Sequence, residues 1–521
     1  MRQYITSSYE HELAYYFHQI DNRGLLLDHK KLVELKIACQ KELKDNCAYL
    51  SSLWCIPVYI GKENDPDIPG SLNLNSKSKQ LLPRLKDLGY QVPKVRQRDQ
   101  ESGEYEFKDS VNKLALQKLL SDPSLWPISI NNAAGDGIKK LLETIEVITF
   151  RNRYINARLY NNTYFSNYGT ASTVTGRRGS KKNIFGFGGN AQNFPARGRL
   201  SSLWKSCIIS RPRKIFFFID QMQAEDWPVQ ALSANYNALD DMRRGINRHY
   251  KFASLIFGIP VDDLKRIRGD HNHPQYLETE MQYNLGKRGR HANNYGMQPT
   301  RLSEILAAEG YSIPATSANK KFKYISGMLS QQPEVLTTKW ILETINTLDP
   351  NVKAIFHKYI QDELSKSSHM LRTPLGRERQ FFGLRSGEKN YNIFNEAFGY
   401  IPQSTVGDNT GIAIRELESS CSYNESSTGI VQDGHDSLCQ ELCDTEKELL
   451  HVFRETKKAF DRDIEFHNGI IINIPIEAKI GYDWWNTVEI GGGVNYTEEN
   501  LLKAYKELKE KYECPVSTIN S

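Results

Sequence analysis

The chain has 521 residues, 39% apolar and 25% charged, with a formal net charge of +5, the balance of a globular protein too long for a single core. No run of about 18 uncharged apolar residues occurs, and the opening MRQYITSSYEHELAYYF lacks the basic-then-apolar plan of a secretory signal, which points to the cytoplasm and away from a membrane. The eight cysteines are scattered without a CxxC pair, so neither a zinc site nor a disulfide framework is indicated.

Residues 10–50 read as two amphipathic helices split at Asp21 to Gly24, followed by a polar loop from Gly61 to Asn75 and a short helix at Lys77 to Leu88. Pro93 to Ser110 reads as an exposed charged loop, and helices resume at Lys113 to Leu120 and Ile138 to Leu159.

From Arg177 to Lys214 the chain carries Arg177, Arg178, Lys181, Lys182, Arg197, Arg199, Lys205, Arg211, Arg213 and Lys214 with no acid among them. Such a stretch neutralises phosphates, and its interleaved glycines and amides let backbone and side chains approach a nucleic-acid strand. A solvated basic loop is the bland alternative.

KIFFFIDQMQAE follows, five apolar residues running into Asp220. That pattern predicts a buried strand delivering an acid to the edge of a sheet; alone, it fits a core strand with a loop acid equally well. Next comes a helix ending before Gly258 and Pro260, with His249 near its start, where an imidazole suits an anion. In MQYNLGKRGRHANNYGM, Lys287, His291 and Tyr295 are spaced four apart and share one helix face, a stripe suited to gripping a triphosphate. Gly286, Gly289 and Gly296 weaken an unsupported helix, which suggests that it is retained for a purpose.

RTPLGRERQFF reads as a turn with Arg377 and Arg379, followed by one helix from Asn390 to Phe398 and another from Pro402. GIVQDGHDSLCQEL predicts a hairpin with His435 and Asp436 at its tip. A helix over EKELLHVFRETKKAF and a final strand over GIIINIPIEAKIG close the chain. Two strand-borne aspartates, a cationic helix between them and a basic stretch ahead suit phosphoryl transfer by two metals about 3.5–4 Å apart.

Six motifs in order carry a resemblance: Thr173, Thr175, Gly176 and Arg177; Asn190, Gln192, Asn193 and Pro195; Asp220, Gln223 and Glu225; Lys287 to Gly296; Gln403 to Asp408; and His435 with Asp436. Together they resemble the DNA polymerase I family (family A), and most of all its phage-type members. Asn75 to Leu81 is similar to the family's thumb.

The resemblance implies an α+β multidomain right-hand fold: a thumb over 1–160, with N-terminal helices packing on the palm; a first palm segment over 161–244; fingers over 245–385; and a second palm segment over 386–521. It implies a template-directed DNA polymerase acting in phage replication in a bacterial host cytoplasm. Two Mg2+ ions, with Mn2+ as the alternative, would be held by Asp220, Asp436 and the carbonyl of Gln221. Lys287 would protonate the leaving pyrophosphate. Gln223, Glu225, His249, Lys287, His291 and Tyr295 would bind the nucleotide, with Glu225 excluding a ribose 2′-hydroxyl. Arg177, Asn190, Gln192, Asn193, Gln403 and His435 would touch the primer and template.

Several positions depart from the family pattern. Tyr283 stands where an arginine is usual, with Arg288 or Arg290 as candidate substitutes, and His291 stands where an aromatic ring is common. Gln221, Met222, Ser437 and Gly399 replace the usual tyrosine, serine, acid and asparagine. Thumb-like sequence begins near Met1, leaving no room for a proofreading exonuclease: such a domain is absent, supplied by a separate chain like any processivity factor, or carried by a longer polymerase. Two other readings stand beside this one: a single-subunit RNA or primer-making polymerase, and a catalytically silent nucleic-acid-binding protein.

Overall fold

The computed structural model describes residues 5, 7–62, 65, 68–75, 80–98, 105–127, 133–173, 175–195, 199–270, 272–309, 311, 313–316, 336–366, 368–382, 391–421, 423 and 428–512. The start of the expected Lys77 helix, most of the thumb-like Asn75 to Leu81 stretch, Arg197 and Cys514 lie outside them.

In chain order, α1 (Ser7–Arg23) and α2 (His29–Trp54) are the two expected N-terminal helices. Asp28 caps α2 by accepting from the Lys31 amide at 3.1 Å. Pro93 to Ser110 is not a plain loop: Lys94–Arg98 and Tyr105–Asp109 pair as an antiparallel hairpin, whose sparse apolar residues hide the strand signal. α3 (Ala133–Phe150) starts earlier than the periodicity indicated. Then come β1 (Asn167–Gly169) and β2 (Gly179–Lys181), a short antiparallel pair, and β3 (Lys214–Gln221). α4 (Asp226–Leu232), α5 (Arg248–Phe257), α6 (Tyr276–Asn294) and α7 (Thr338–Leu348) follow.

The two helices expected on either side of Pro402 are one, α8 (Tyr391–Ser420), with Pro402 inside it. Proline removes a single backbone donor, and buried neighbours such as Ile401 and Val406 carry the helix through. β4 (Gly429–Asp433) and β5 (Ser437–Cys443) form the expected hairpin, and α9 (Glu446–Phe460) follows. The final apolar run is not one strand: Ile464–Glu465 pairs with Ile471–Ile472, and only Ile476–Gly481 enters the main sheet, as β6. Asn468 and Gly469 make the turn within that small hairpin, and Pro475 interrupts the run before β6. β7 (Thr487–Gly492) and a helix over Glu498–Lys511 close the described chain.

The main sheet is antiparallel throughout, in the order β4-β5-β3-β6-β7. β3 is its central strand, so Asp220 sits at the end of a middle strand and not on a lateral edge. Strand alternation divides β3 between two cores. Ile215, Phe217 and Ile219 pack on one face with residues of α8 and α9; Phe216 and Phe218 pack on the other with residues of α2, α3 and Trp204. Each fully buried phenylalanine contributes roughly 1.5–3 kcal/mol, so β3 is fixed from both sides and Asp220, next in the Phe216–Phe218 series, has a defined position.

Candidate active site

Asp220 lies in register with Ser437 on β5 and Glu477 on β6. Asp436 ends the β4–β5 turn, and its carbonyl accepts from the Gln221 amide at 3.1 Å. The two aspartates expected to meet are thus brought to the ends of adjoining strands. Asp220 is open to solvent yet stands on the floor of a crowded cleft. Withdrawal of solvent, then the charges of Asp436 and Glu477, hold its carboxyl well above the usual carboxylate range, against the pull of Lys287 and Lys479. Burial also raises Asp436, while Arg177 opposes the shift.

A pair of carboxylates that crowd each other fits a divalent cation, which relieves the repulsion. Among the described residues no group of three or more acids, histidines or cysteines gathers as a cage, so other oxygens must complete the coordination. The Gln221 side chain is not available for this: its amide donates to Thr410 Oγ1 at 2.8 Å and its oxygen accepts from Asn409 at 2.7 Å.

The Asp436 turn is clamped from below. His435 adopts φ +84°, a conformation that L-residues hold only when the surroundings impose it. Asp433 accepts from the His435 amide at 3.1 Å, and Arg178 grips Asp433 through two nitrogens at 2.6 and 2.7 Å while donating to the His435 carbonyl at 3.0 Å. Arg178 also donates to the carbonyl of Gly407 in α8. It is therefore structural, as is Arg211, which pairs with Glu441. The basic stretch offers fewer cations to a ligand than its composition suggests.

α6 faces the acids. Lys287, His291 and Tyr295 run along it as spaced, with Tyr295 at its C-cap. The Tyr295 hydroxyl donates to Glu225, and Arg177 pairs with the other oxygen of that carboxylate. Gln403 reaches the same tyrosine, and His291 Nδ1 lies 3.9 Å from Glu225. His249 stacks against His291 with centroids 6.2 Å apart, and its Nδ1 is buried with no hydrogen-bond partner, an orphan that a ligand would satisfy. Gln223, at φ +50°, turns inward: its oxygen accepts from the Arg248 amide at 2.9 Å.

Both candidate substitutes for the missing arginine have carboxylate partners. Arg288 pairs with Glu309, and Arg290 is buried against Asp226 with its guanidinium 4.8 Å from the Phe252 ring. The tyrosine at that position, Tyr283, is instead covered by Arg268, whose guanidinium is 3.6 Å from the ring centroid. The α6 glycines are packing requirements: a Cβ on Gly286 would meet the Ala253 backbone at 2.9 Å, and one on Gly289 the Ile345 side chain at 2.5 Å.

Among the expected nucleic-acid contacts, Gln192 Nε2 is 3.4 Å from His435 Nδ1. Asn190 accepts from Ser180 Oγ at 2.8 Å and from the Asn193 amide at 3.2 Å. Asn193 itself is exposed. A cavity of about 320 Å³ opens beside Asp220, lined by Gln192, Lys205, Glu477, Lys479, Trp484 and Glu489 among others. Sequence reasoning missed Glu477 and Lys479. Their signal was the alternation in IPIEAKIG, which puts both on one face of a strand.

No protein-family description and no curated protein matches the sequence. The structure is similar to the POL domain of Pol1 from M. smegmatis, solved in complex with DNA primer-template and dNTP, with a TM-score of 0.65 and 15% identity over 91% of this chain and 70% of that one. At that identity the likeness establishes the fold: this chain is built as that polymerase domain is. Among the described residues no helix is long and apolar enough to cross a membrane.

Proposed function

We propose that the protein is a template-directed DNA polymerase that extends a primer 3′-hydroxyl with deoxynucleotides. The observation that carries the reading is the meeting of Asp220 and Asp436 at the ends of adjoining strands, opposite the Lys287 stripe, in a fold shared with a polymerase domain. Residues 1–160 would serve as the thumb, 161–244 and 386–521 as the palm, and 245–385 as the fingers. The finer assignment, a phage-type replicative enzyme, is supported by the wording of its motifs.

Asp220 and Asp436, with the carbonyl of Gln221, would hold divalent metal, Mg2+ or Mn2+, which activates the attacking hydroxyl and neutralises charge on the phosphates. The chain's own residues do the rest. Lys287 and His249 bind the triphosphate, and the Lys287 ammonium gives a proton to the departing pyrophosphate oxygen. Arg268, over the Tyr283 ring and paired with Glu280 at 2.6 Å, would have to leave that carboxylate to supply the guanidinium that α6 lacks at that position. Arg177 and Tyr295 fix Glu225, so its carboxylate occupies the space of a ribose 2′-hydroxyl and favours deoxynucleotides. Tyr295 would pack beneath the templating pair. Gln192, Asn190, Asn193, Gln403 and His435 would read the shape of the primer-template minor groove.

Extension of a labelled primer with deoxy- or ribonucleotides in the presence of magnesium tests the reading. Selective deoxynucleotide addition is expected. Preference for ribonucleotides would replace it with an RNA or primer-making polymerase, and binding without synthesis would replace it with a silent nucleic-acid-binding role.

A further inference from the structure

Between Glu146 and Asp220 the sequence has no acidic residue and thirteen lysines and arginines. From the middle of this region a loop over residues 182–188 leaves β2 and presents Ile184 and Phe185 to solvent, 86% and 70% exposed. Two adjacent, strongly exposed large apolar side chains beside the exposed Lys181 and Lys182 need a reason.

The loop has a fixed shape. Asn183 Oδ1 accepts from the amides of Phe185 and Phe187 at 3.1 and 2.8 Å, the Asn183 amide donates to the Phe187 carbonyl at 3.1 Å, and the Gly186 amide donates to the Asn183 carbonyl at 2.9 Å. Gly188 and Gly189 pin the far end to the carbonyls of Arg158 and Phe165 at 2.7 and 2.9 Å. Gly188 sits at φ +68°, and a Cβ there would lie 1.8 Å from the Phe165 oxygen, so only glycine permits the approach. Phe187 anchors the base, with the Arg158 guanidinium 4.4 Å from its ring centroid and Tyr160 beside it. Lys181 and Lys182, both exposed, flank the tip. Just beyond the loop, Ser180 and Asn190 are hydrogen-bonded, and Gln192 meets His435, so the tip rises from the surface assigned to primer-template.

We propose that Ile184 and Phe185 form an apolar wedge that presses into the minor groove of the bound primer-template duplex, with Lys181 and Lys182 on its phosphates. Apolar side chains inserted at base steps part the stack, and the cations at the loop's base supply the sequence-independent attraction. A pre-shaped loop loses little freedom on binding. The inference rests on the polymerase reading.

The test compares the wild-type chain with Ile184→Ser/Phe185→Ser and Lys181→Gln/Lys182→Gln, using a primer-template carrying 2-aminopurine at successive duplex positions. Both apolar residues are solvent-exposed, so the first variant keeps the wild-type melting temperature. Its dissociation constant is expected to rise about tenfold or more with the salt dependence unchanged, and the 2-aminopurine brightening seen with wild type at one step is expected to vanish. The lysine variant is expected to reduce the slope of log K against log salt by about two. Unchanged affinity and fluorescence in the serine variant, with wild-type extension intact, would overturn the wedge, leave the polymerase reading standing and turn the tip towards a protein partner. Failure of the wild-type chain to bind primer-template would overturn both.

Discussion

Arg178 and Asp433, 255 residues apart in sequence, form a two-point ion pair in the interior at 2.6 and 2.7 Å, and the pair holds the turn that carries Asp436. Arg177, the preceding residue, pairs with Glu225. Adjacent arginines thus tie the Asp436 turn and the Glu225 carboxylate to one short segment.

Arg178→Met leaves a buried carboxylate unpaired, which costs about 3–5 kcal/mol. Arg178→Met/Asp433→Leu removes that charge and recovers most of the stability, yet the His435 turn is no longer held. Thermal unfolding should show the recovery, while calorimetric titration with Mn2+ should show weakened binding in both variants. Wild-type metal affinity in the double variant would show that the pair is structural only.

Asp220 carries the clearest linkage to pH. Its folded-state carboxyl is held above the ordinary value by partial withdrawal of solvent on the crowded cleft floor and by the charges of Asp436 and Glu477. A raised carboxyl favours the folded state below its unfolded pKa, and that contribution is lost as pH rises through the folded value. The metal-free protein should therefore lose stability from acid towards neutral pH. Asp220→Asn should remove that loss and melt higher than wild type at neutral pH without metal. Mg2+ should raise the melting temperature of wild type and not of the variant; an equal rise in both would contradict the assignment of Asp220 as a ligand.

Burial and the neighbouring Lys287 and Arg290 lower His291 to about 4, and burial with Arg290 lowers His249 well below its usual value. Both rings should stay neutral at about pH 6, where an unperturbed histidine is largely protonated. Because the unfolded chain takes up these protons first, their contribution to stability is lost as pH falls below 6.5. Histidine ring NMR titration reads this directly, and a normal midpoint for either ring would refute it.

Glu225→Ala removes the carboxylate shared by Arg177 and Tyr295. Discrimination against ribonucleotides should fall about 10- to 100-fold, chiefly through improved ribonucleotide binding. Single-nucleotide incorporation kinetics measure the ratio, and an unchanged ratio would remove Glu225 from sugar selection.

The acids were legible because their signals are local: an apolar run ending in Asp220, and a hairpin ending in Asp436. The stripe of three residues spaced four apart on α6 was legible for the same reason. What escaped was settled by distant partners. Arg290 looks like a ligand-binding cation until Asp226 is found beside it, and Arg178 looks like a member of a phosphate-binding stretch until Asp433 closes on it. Glu477 reaches the site only through its register with Asp220, which a strand sequence does not state. The hairpin at Lys94–Arg98 was hidden by its polar composition, and the continuity of α8 through Pro402 by a residue that ordinarily breaks helices.

The central claim is that Asp220 and Asp436 form the metal-dependent centre of a DNA polymerase. The most direct test is extension of a labelled primer on a DNA template with Mg2+ by the wild-type chain and by Asp436→Asn, with primer-template affinity measured alongside. Extension should fall about a thousandfold or more, as expected when several kcal/mol of charge stabilisation is lost, while affinity stays near wild type. Extension by Asp436→Asn at a rate close to wild type would contradict the account.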